Sequence, residues 1–274
     1  MAMPRGTLPR RYRAWRPKRS QFPRGFRAWA LVATRFTLVI MLLIVGDRIA
    51  AGLTSQGWRM DQGAVVVVRV LTALPTLRFP LEGFLLALEV DKWDWYWLDA
   101  GSRSKEYQAI YQQWDKVLDL FALGVAAFVA LRWRDRTMRT MALATFLLRA
   151  GGVGAFLLTE ERWLLVAFPN VFETLFLMYV VFQVIAPREP MLTGSASAVI
   201  VFLAALLPKL AAEYYLHILE RRPWDSLDLP IPDMLEPQFW LALVYLPAAV
   251  VVGLLVRRGR RLAVEHGRDP GATA

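Results

Sequence analysis

Residues 64–90 read AVVVVRVLTALPTLRFPLEGFLLALEV, an apolar run that is interrupted near its middle. The run also carries charged residues, and Pro75 and Pro80 bracket the interruption. Each proline removes a backbone donor and clashes with the preceding helical turn, so one straight helix through this stretch is disfavoured. The sequence therefore predicts two half-helices, at roughly residues 64–74 and 81–90, that fold against each other at the prolines.

Long apolar segments on both sides of this run indicate a membrane protein. Hydrophobic residues make up 56% of the 274 residues, and the mean hydropathy is +0.36. A helix needs about 20 mostly apolar residues to cross a bilayer. Six segments qualify: Ala28–Val45, Lys116–Leu131, Met138–Leu158, Trp163–Ile185, Ser195–Leu219 and Phe239–Val256. The expected fold is an all-α, polytopic transmembrane helical bundle.

The positions of the arginines predict how often the chain crosses the membrane. Loops rich in Lys and Arg stay on the cytoplasmic side. Arginines precede the first span, crowd residues 132–139 and follow the last span at residues 257–261. An even number of crossings must separate these segments, so residues 64–90 make no net crossing. We predict six spans plus a proline-broken re-entrant segment, and seven full spans are the alternative.

The ends of the chain are strongly basic and predict its location. The net charge is +10, and residues 1–46 carry ten Lys and Arg but no Asp or Glu. A nucleic-acid-binding arm would look similar, but before a membrane span such a segment is typical of a cytoplasmic anchor on anionic lipid. We expect a basic cytoplasmic N-terminal segment (1–27), a single transmembrane domain (28–256) and a basic cytoplasmic tail (257–274). The predicted location is the cell membrane, with membrane lipids as partners and no nucleic acid.

Aromatic residues are concentrated just after the proline-broken run. Residues 91–99 read DKWDWYWLD, with four aromatic residues in five positions. We interpret this stretch as an external loop. Its aromatic side chains form either an interfacial belt, which is the favoured interpretation because Trp and Tyr prefer the headgroup zone, or a grip for a sugar or headgroup.

Ionisable residues inside a bilayer are costly and therefore mark candidate functional sites. The predicted topology places seven of them in the outer half of the membrane, on four different spans. Spacings of three or four residues put the polar residues of one span on one helix face. We expect all seven to converge in one outer pocket: Asp115, Asp119, Arg149, Glu173, Lys209, Glu213 and His217.

Two of these residues are also candidate metal ligands. Glu213 and His217 are four residues apart, so one divalent metal ion can contact both. Asp115, Asp119 or Glu173 would complete such a site. The sequence holds no cysteine and only two histidines, which excludes thiolate sites, Cys nucleophiles and any site with three imidazoles. The sequence specifies no other cofactor.

Three classes of function fit these residues. A membrane enzyme that acts on a lipid or lipid-linked substrate would use them in acid–base catalysis. An ion- or proton-coupled transporter or channel would use them as a relay. A non-catalytic membrane assembly or scaffold protein would need them only as ion pairs. The inner halves of the spans are apolar apart from Arg35, whereas a permeation path needs polar groups in both halves. The sequence therefore favours the enzyme.

Overall fold

The computed structural model of the chain describes residues 25–187, 189–219 and 236–265. These residues form an all-helical protein, and no strand occurs among them, which confirms the all-α part of the predicted fold class. The helices are α1 Gly25–Ser55, α2 Gln62–Ala73, α3 Pro80–Trp97, α4 Lys105–Ala130, α5 Arg136–Thr159, α6 Trp163–Ala167, α7 Val171–Ile185, α8 Ser195–His217 and α9 Glu236–Glu265. Most of the predicted N-terminal segment and the end of the predicted tail lie outside the described residues.

The proline-broken run forms a helical hairpin, as predicted. Helix α2 ends at Ala73, the short 3₁₀ turn Leu74–Leu77 follows, and Pro80 opens α3. Proline suits the first turn of a helix because the N–H that it lacks has no intrahelical partner there. The two helices lie antiparallel, and the backbone N–H of Met60 donates to the carbonyl of Trp97 at 2.9 Å.

The prediction that residues 91–99 form an external loop is wrong, because α3 continues through Trp97. Trp97 is buried against Ala50 of α1 and lies edge-on to Trp58. Trp95 lies edge-on to Tyr111 of α4. These two tryptophans therefore pack the hairpin against its neighbouring helices.

Two ion pairs fix the hairpin against α1. Arg35 donates to both carboxylate oxygens of Glu82, at 2.6 and 2.9 Å, and Lys92 donates to Asp47 at 2.6 Å. Residue numbers rise together along both helices, so α1 and α3 are parallel. The turn of the hairpin consequently lies beside the first half of α1, far from the end of α1 that leads into α2.

The arginine-rich segments gather at one end of the bundle. The Arg260 guanidinium lies 5.2 Å from the centre of the Trp29 ring, which joins the end of α9 to the start of α1. In the loops after α4 and α7, Asp135 accepts a hydrogen bond from the backbone N–H of Leu192 at 3.3 Å. We call this the arginine-rich end and the opposite one the distal end.

Four stretches of the described chain are long and apolar enough to cross a membrane. They correspond to four of the predicted spans: Gly25–Ser55, Arg136–Thr159, Trp163–Ile185 and Ser195–His217. The predicted spans Lys116–Leu131 and Phe239–Val256 lie in α4 and α9, which are not among the four. The described chain therefore has four helical stretches that fit a membrane-embedded protein by length and composition, and the count of six spans stays a prediction.

Helix α7 occupies the centre of the bundle and is buried along most of its length. Phe176 packs against Phe84 of α3 at a ring distance of 4.8 Å and stacks on Trp133 at 5.6 Å. Tyr179, one turn further on, lies 4.0 Å from Trp133. This aromatic core fills the bundle between the polar residues at the start of α7 and the arginine-rich end.

Candidate functional site

The polar residues of the distal half form two clusters, of which the first surrounds Arg69 on α2. We call it the Arg69 cluster; its members are Arg69, Asp91, Asp94, Tyr111, Asp115, Lys116 and Asp119. The Arg69 side chain is only 5% exposed and contacts all four aspartates, with distances of 2.6 Å to Asp115 and to Asp119. Arginine can do this because its planar guanidinium carries five N–H donors.

Helical spacing explains how the aspartates come to share one arginine. Asp91 and Asp94 are three residues apart on α3, and Asp115 and Asp119 are four apart on α4, so each pair lies on one helix face. Lys116 adds a second cation, with its Nζ 2.8 Å from Asp115 and 3.0 Å from Asp119. Four carboxyl groups therefore face two cations.

The second cluster lies between α5, α7, α8 and α9. We call it the Glu213 cluster; its members are Arg149, Asn170, Glu173, Lys209, Glu213, His217 and Tyr245. Arg149 donates to the carbonyls of Leu165 and Phe168, at 3.0 and 2.9 Å, and lies 3.5 Å from Glu213. These carbonyls are available because the chain breaks between α6 and α7, at Phe168–Asn170.

Glu173 occupies the first turn of α7 and has three side-chain partners. It accepts hydrogen bonds from the Asn170 amide at 2.7 Å, from Lys209 at 2.8 Å and from the Tyr245 hydroxyl. Since Arg149 and Lys209 oppose Glu173 and Glu213, the charges of this cluster balance when all four groups are ionised.

His217 lies in the last turn of α8, at the distal end. Its Nε2 donates to Glu213 at a distance of 3.0 Å. Its Nδ1 is buried and has no hydrogen-bond partner among the described residues. The side chain as a whole is 11% exposed. His217 is therefore an imidazole that is oriented through one nitrogen and is free at the other.

The structure divides the seven predicted site residues between the two clusters. Five of them lie together in the Glu213 cluster: Arg149, Glu173, Lys209, Glu213 and His217. Asp115 and Asp119 contact Arg69 instead, so one shared network does not form. The catalytic roles of all seven residues stay predictions.

Sequence reasoning missed three central members of the Arg69 cluster: Arg69, Asp91 and Asp94. The two aspartates were assigned to a loop, where a spacing of three residues does not determine whether two side chains lie together. On a helix, the same spacing of three residues places them side by side. The antiparallel hairpin then brings them opposite Arg69.

The candidate metal ligands Glu213 and His217 bond to each other, and Glu213 also faces Arg149. Among the described residues, the group with suitable geometry is Asp91, Asp94 and Asp115, whose carboxylate oxygens lie within 4.8 Å of one another. Arg69 contacts all three and supplies the positive charge that a metal ion would bring. The predicted metal site stays a prediction.

No protein-family model matches this chain, and neither a curated protein nor a solved structure matches it. Its function must therefore be inferred from the chemistry of the two clusters.

Proposed function

We propose that the chain is a membrane enzyme that acts on a lipid or lipid-linked substrate, with His217 as its general base. The observation that supports this proposal is the pairing of His217 Nε2 with Glu213, which leaves Nδ1 free. A carboxylate that holds one nitrogen of an imidazole orients the ring and stabilises its protonated form, while the other nitrogen accepts a proton from the substrate. Arg149 in turn holds Glu213 in place.

The surroundings of His217 suit a substrate that arrives through the bilayer. The neighbouring side chains Tyr214, Leu216 and Ile218 are 47%, 40% and 43% exposed. A lipid-linked molecule can therefore approach the last turn of α8 along an apolar surface. Its polar group would meet the exposed part of His217 at the distal end, and contact with the buried Nδ1 would require the neighbouring side chains to move aside.

The aromatic core favours a site that is open to one side only. Phe172, Phe176 and Trp133 are buried on the arginine-rich side of the Glu213 cluster. Ion and proton pathways are lined by polar or charged groups, and this core, as far as the structure describes it, contains no charged side chain.

The excess of carboxyl groups in the Arg69 cluster favours a second candidate, a cation- or proton-coupled transporter. Acidic residues buried in a bundle are typical of such relays. If the chain is a transporter, proteoliposomes should show a proton or cation flux that Asp119→Asn abolishes. The flux should then persist in His217→Gln, which separates the two candidates.

Replacing His217 with Gln should abolish activity and leave the fold intact, because the Gln amide can still donate to Glu213. Activity is measured by lipid mass spectrometry of membranes from cells that express the chain. The lipid species altered by the wild-type chain should be unaltered in His217→Gln. Tyr214→Phe, on the same turn of α8 but exposed, is the control and should behave like wild type.

Thermal stability distinguishes this enzyme from a scaffold. Glu213→Gln should lower the stability of the purified protein, because Arg149 loses its carboxylate, whereas His217→Gln should not. A large loss of stability in both variants, with lipid profiles equal to that of wild type, would contradict the enzyme and favour a purely structural ion-pair network.

We further propose that both termini are cytoplasmic and that the distal end faces outward in the cell membrane. The arginines at one end of the bundle support this orientation. The chain has no cysteine, so single cysteines can be introduced at the exposed Ser102 and Thr193. A membrane-impermeant maleimide added to intact cells should label Ser102→Cys but not Thr193→Cys. The opposite labelling pattern would mean that the protein has the inverted topology.

A further inference from the structure

A groove of about 790 Å³ opens at the arginine-rich end, between α1, α9 and the end of α7. Trp29 of α1 lines one side, and Gly253, Arg257, Arg260 and Arg261 of α9 line the other. The three arginines share one face of α9 because they are three and four residues apart. Arg258, which lies between them in sequence, does not line the groove.

The arginines are available for a ligand. All three are exposed, and within the described part of the chain no carboxylate forms an ion pair with any of them. Arginine guanidinium groups bind phosphate through paired hydrogen bonds. Trp29 lies beside Arg260, and indole rings prefer the headgroup depth of a bilayer. The part of the groove that the three arginines and Trp29 line therefore suits a phosphate group.

The remainder of the groove is apolar. Val256 and Ile185 line it, and Val250 and Leu254, which precede the lining arginines on α9, are 52% and 58% exposed. A ligand that fits both parts must carry a phosphate at one end and a hydrocarbon chain at the other. A free phosphate compound would leave the apolar part unused.

We propose that this groove binds one anionic phospholipid from the leaflet at the arginine-rich end. Arg257, Arg260 and Arg261 hold the phosphate, and the acyl chains follow the exposed apolar surface of α9. The site is formed by described residues of α1, α7 and α9, and it lies at the opposite end of the bundle from His217. It is therefore independent of the proposed enzymatic function.

Native mass spectrometry of the purified full chain tests the charge of the site. The protein in detergent is titrated with dioleoylphosphatidylglycerol and, separately, with dioleoylphosphatidylcholine. We expect a discrete adduct with the anionic lipid at concentrations about tenfold lower than with the zwitterionic one, because the described residues place no carboxylate against these arginines. Arg260→Gln should weaken the anionic adduct about tenfold, whereas Arg258→Gln, with the same loss of charge, should change it by about twofold or less.

The shape of the site is tested with a glycine substitution. A Cβ on Gly253 would meet no atom within 4 Å, so Gly253→Leu leaves the helix intact and places its side chain in the groove. This variant should lose the anionic adduct while its melting temperature stays unchanged. Gly151→Leu is the matched control, since Gly151 is an exposed helical glycine of α5 that also has nothing within 4 Å.

Three results would overturn the proposal. Equal adducts in Arg258→Gln and Arg260→Gln, or in the two lipids, would mean that lipid adsorbs by general charge or apolar contact alone. Displacement of the phospholipid by inorganic phosphate at a similar concentration would mean that the groove recognises a free phosphate compound. Loss of the adduct in Arg260→Gln and Gly253→Leu but in neither control would support the lipid site, whatever the activity of His217→Gln.

Discussion

Replacing Arg69 with Gln is expected to destabilise the fold by at least about 3–5 kcal/mol, because breaking a buried ion pair leaves an uncompensated charge. Here the loss is larger than for a single pair. Arg69 contacts four aspartates from two helices, and Lys116 forms ion pairs with Asp115 and Asp119 but not with Asp91 or Asp94. Without the guanidinium, the carboxylates of α3 and α4 repel one another within the bundle.

Thermal unfolding of the purified protein in detergent measures this effect. Arg78→Gln is the matched control, because Arg78 lies on the same hairpin but is exposed, and among the described residues the one contact recorded for its side chain is the ring of Phe79, at 5.7 Å. It should melt close to wild type. If Arg69→Gln has the same melting temperature as Arg78→Gln, the four contacts of Arg69 contribute nothing to stability.

A second substitution should restore part of the loss. Asp94 is fully buried, so Asp94→Asn removes the carboxylate that is costliest to leave unpaired. The double variant Arg69→Gln/Asp94→Asn should therefore melt above Arg69→Gln alone. Such non-additivity is expected of residues in direct contact.

Local rules of helix chemistry account for what the sequence could predict. Pro75 and Pro80, five residues apart, favour the hairpin because each removes a backbone donor and clashes with the preceding helical turn. The single prolines Pro208 and Pro247 lie inside α8 and α9 without ending them. The spacing of Lys209, Glu213 and His217 places them on one face of α8 without reference to any other helix. Each of these inferences uses only residues that are near neighbours along the chain.

The parts that could not be predicted depend on contacts between distant helices. Asp115 and Asp119 join Arg69 rather than Glu213 because the hairpin packs against α4, and no local pattern fixes that packing. The sequence did not predict the length of α3, because its aromatic residues resemble those of an interfacial belt. The structure instead buries Trp97 within the bundle. The role of the helix break at Pro169 could not be predicted either, because it depends on Arg149 of another helix, which donates to the carbonyls at that break.

Replacing Gly83 with Ala should disrupt the hairpin itself. In an exposed helix interior, alanine is more stable than glycine by about 1 kcal/mol. At Gly83 the sign reverses, because the new Cβ would lie under 3.0 Å from backbone atoms of Pro75 and Thr76, including 2.7 Å from the Thr76 Cα. Backbone atoms cannot rotate aside, so α3 must move away from the turn. We expect a destabilisation of about 3 kcal/mol, the upper part of the range for overpacked cores.

Gly46→Ala provides the control, since a Cβ on this α1 glycine meets nothing within 4 Å. This variant should slightly raise the melting temperature.

The combination of Gly83→Ala with Arg69→Gln is more informative than either variant alone. Arg69 reaches Asp91 and Asp94 only while α2 and α3 are packed together, so a displaced α3 has already lost part of what Arg69→Gln removes. The double variant should therefore lose less stability than the sum of the single losses. Strict additivity would mean that the hairpin turn and the Arg69 cluster are energetically separate, and that Arg69 is held in place by α4 alone.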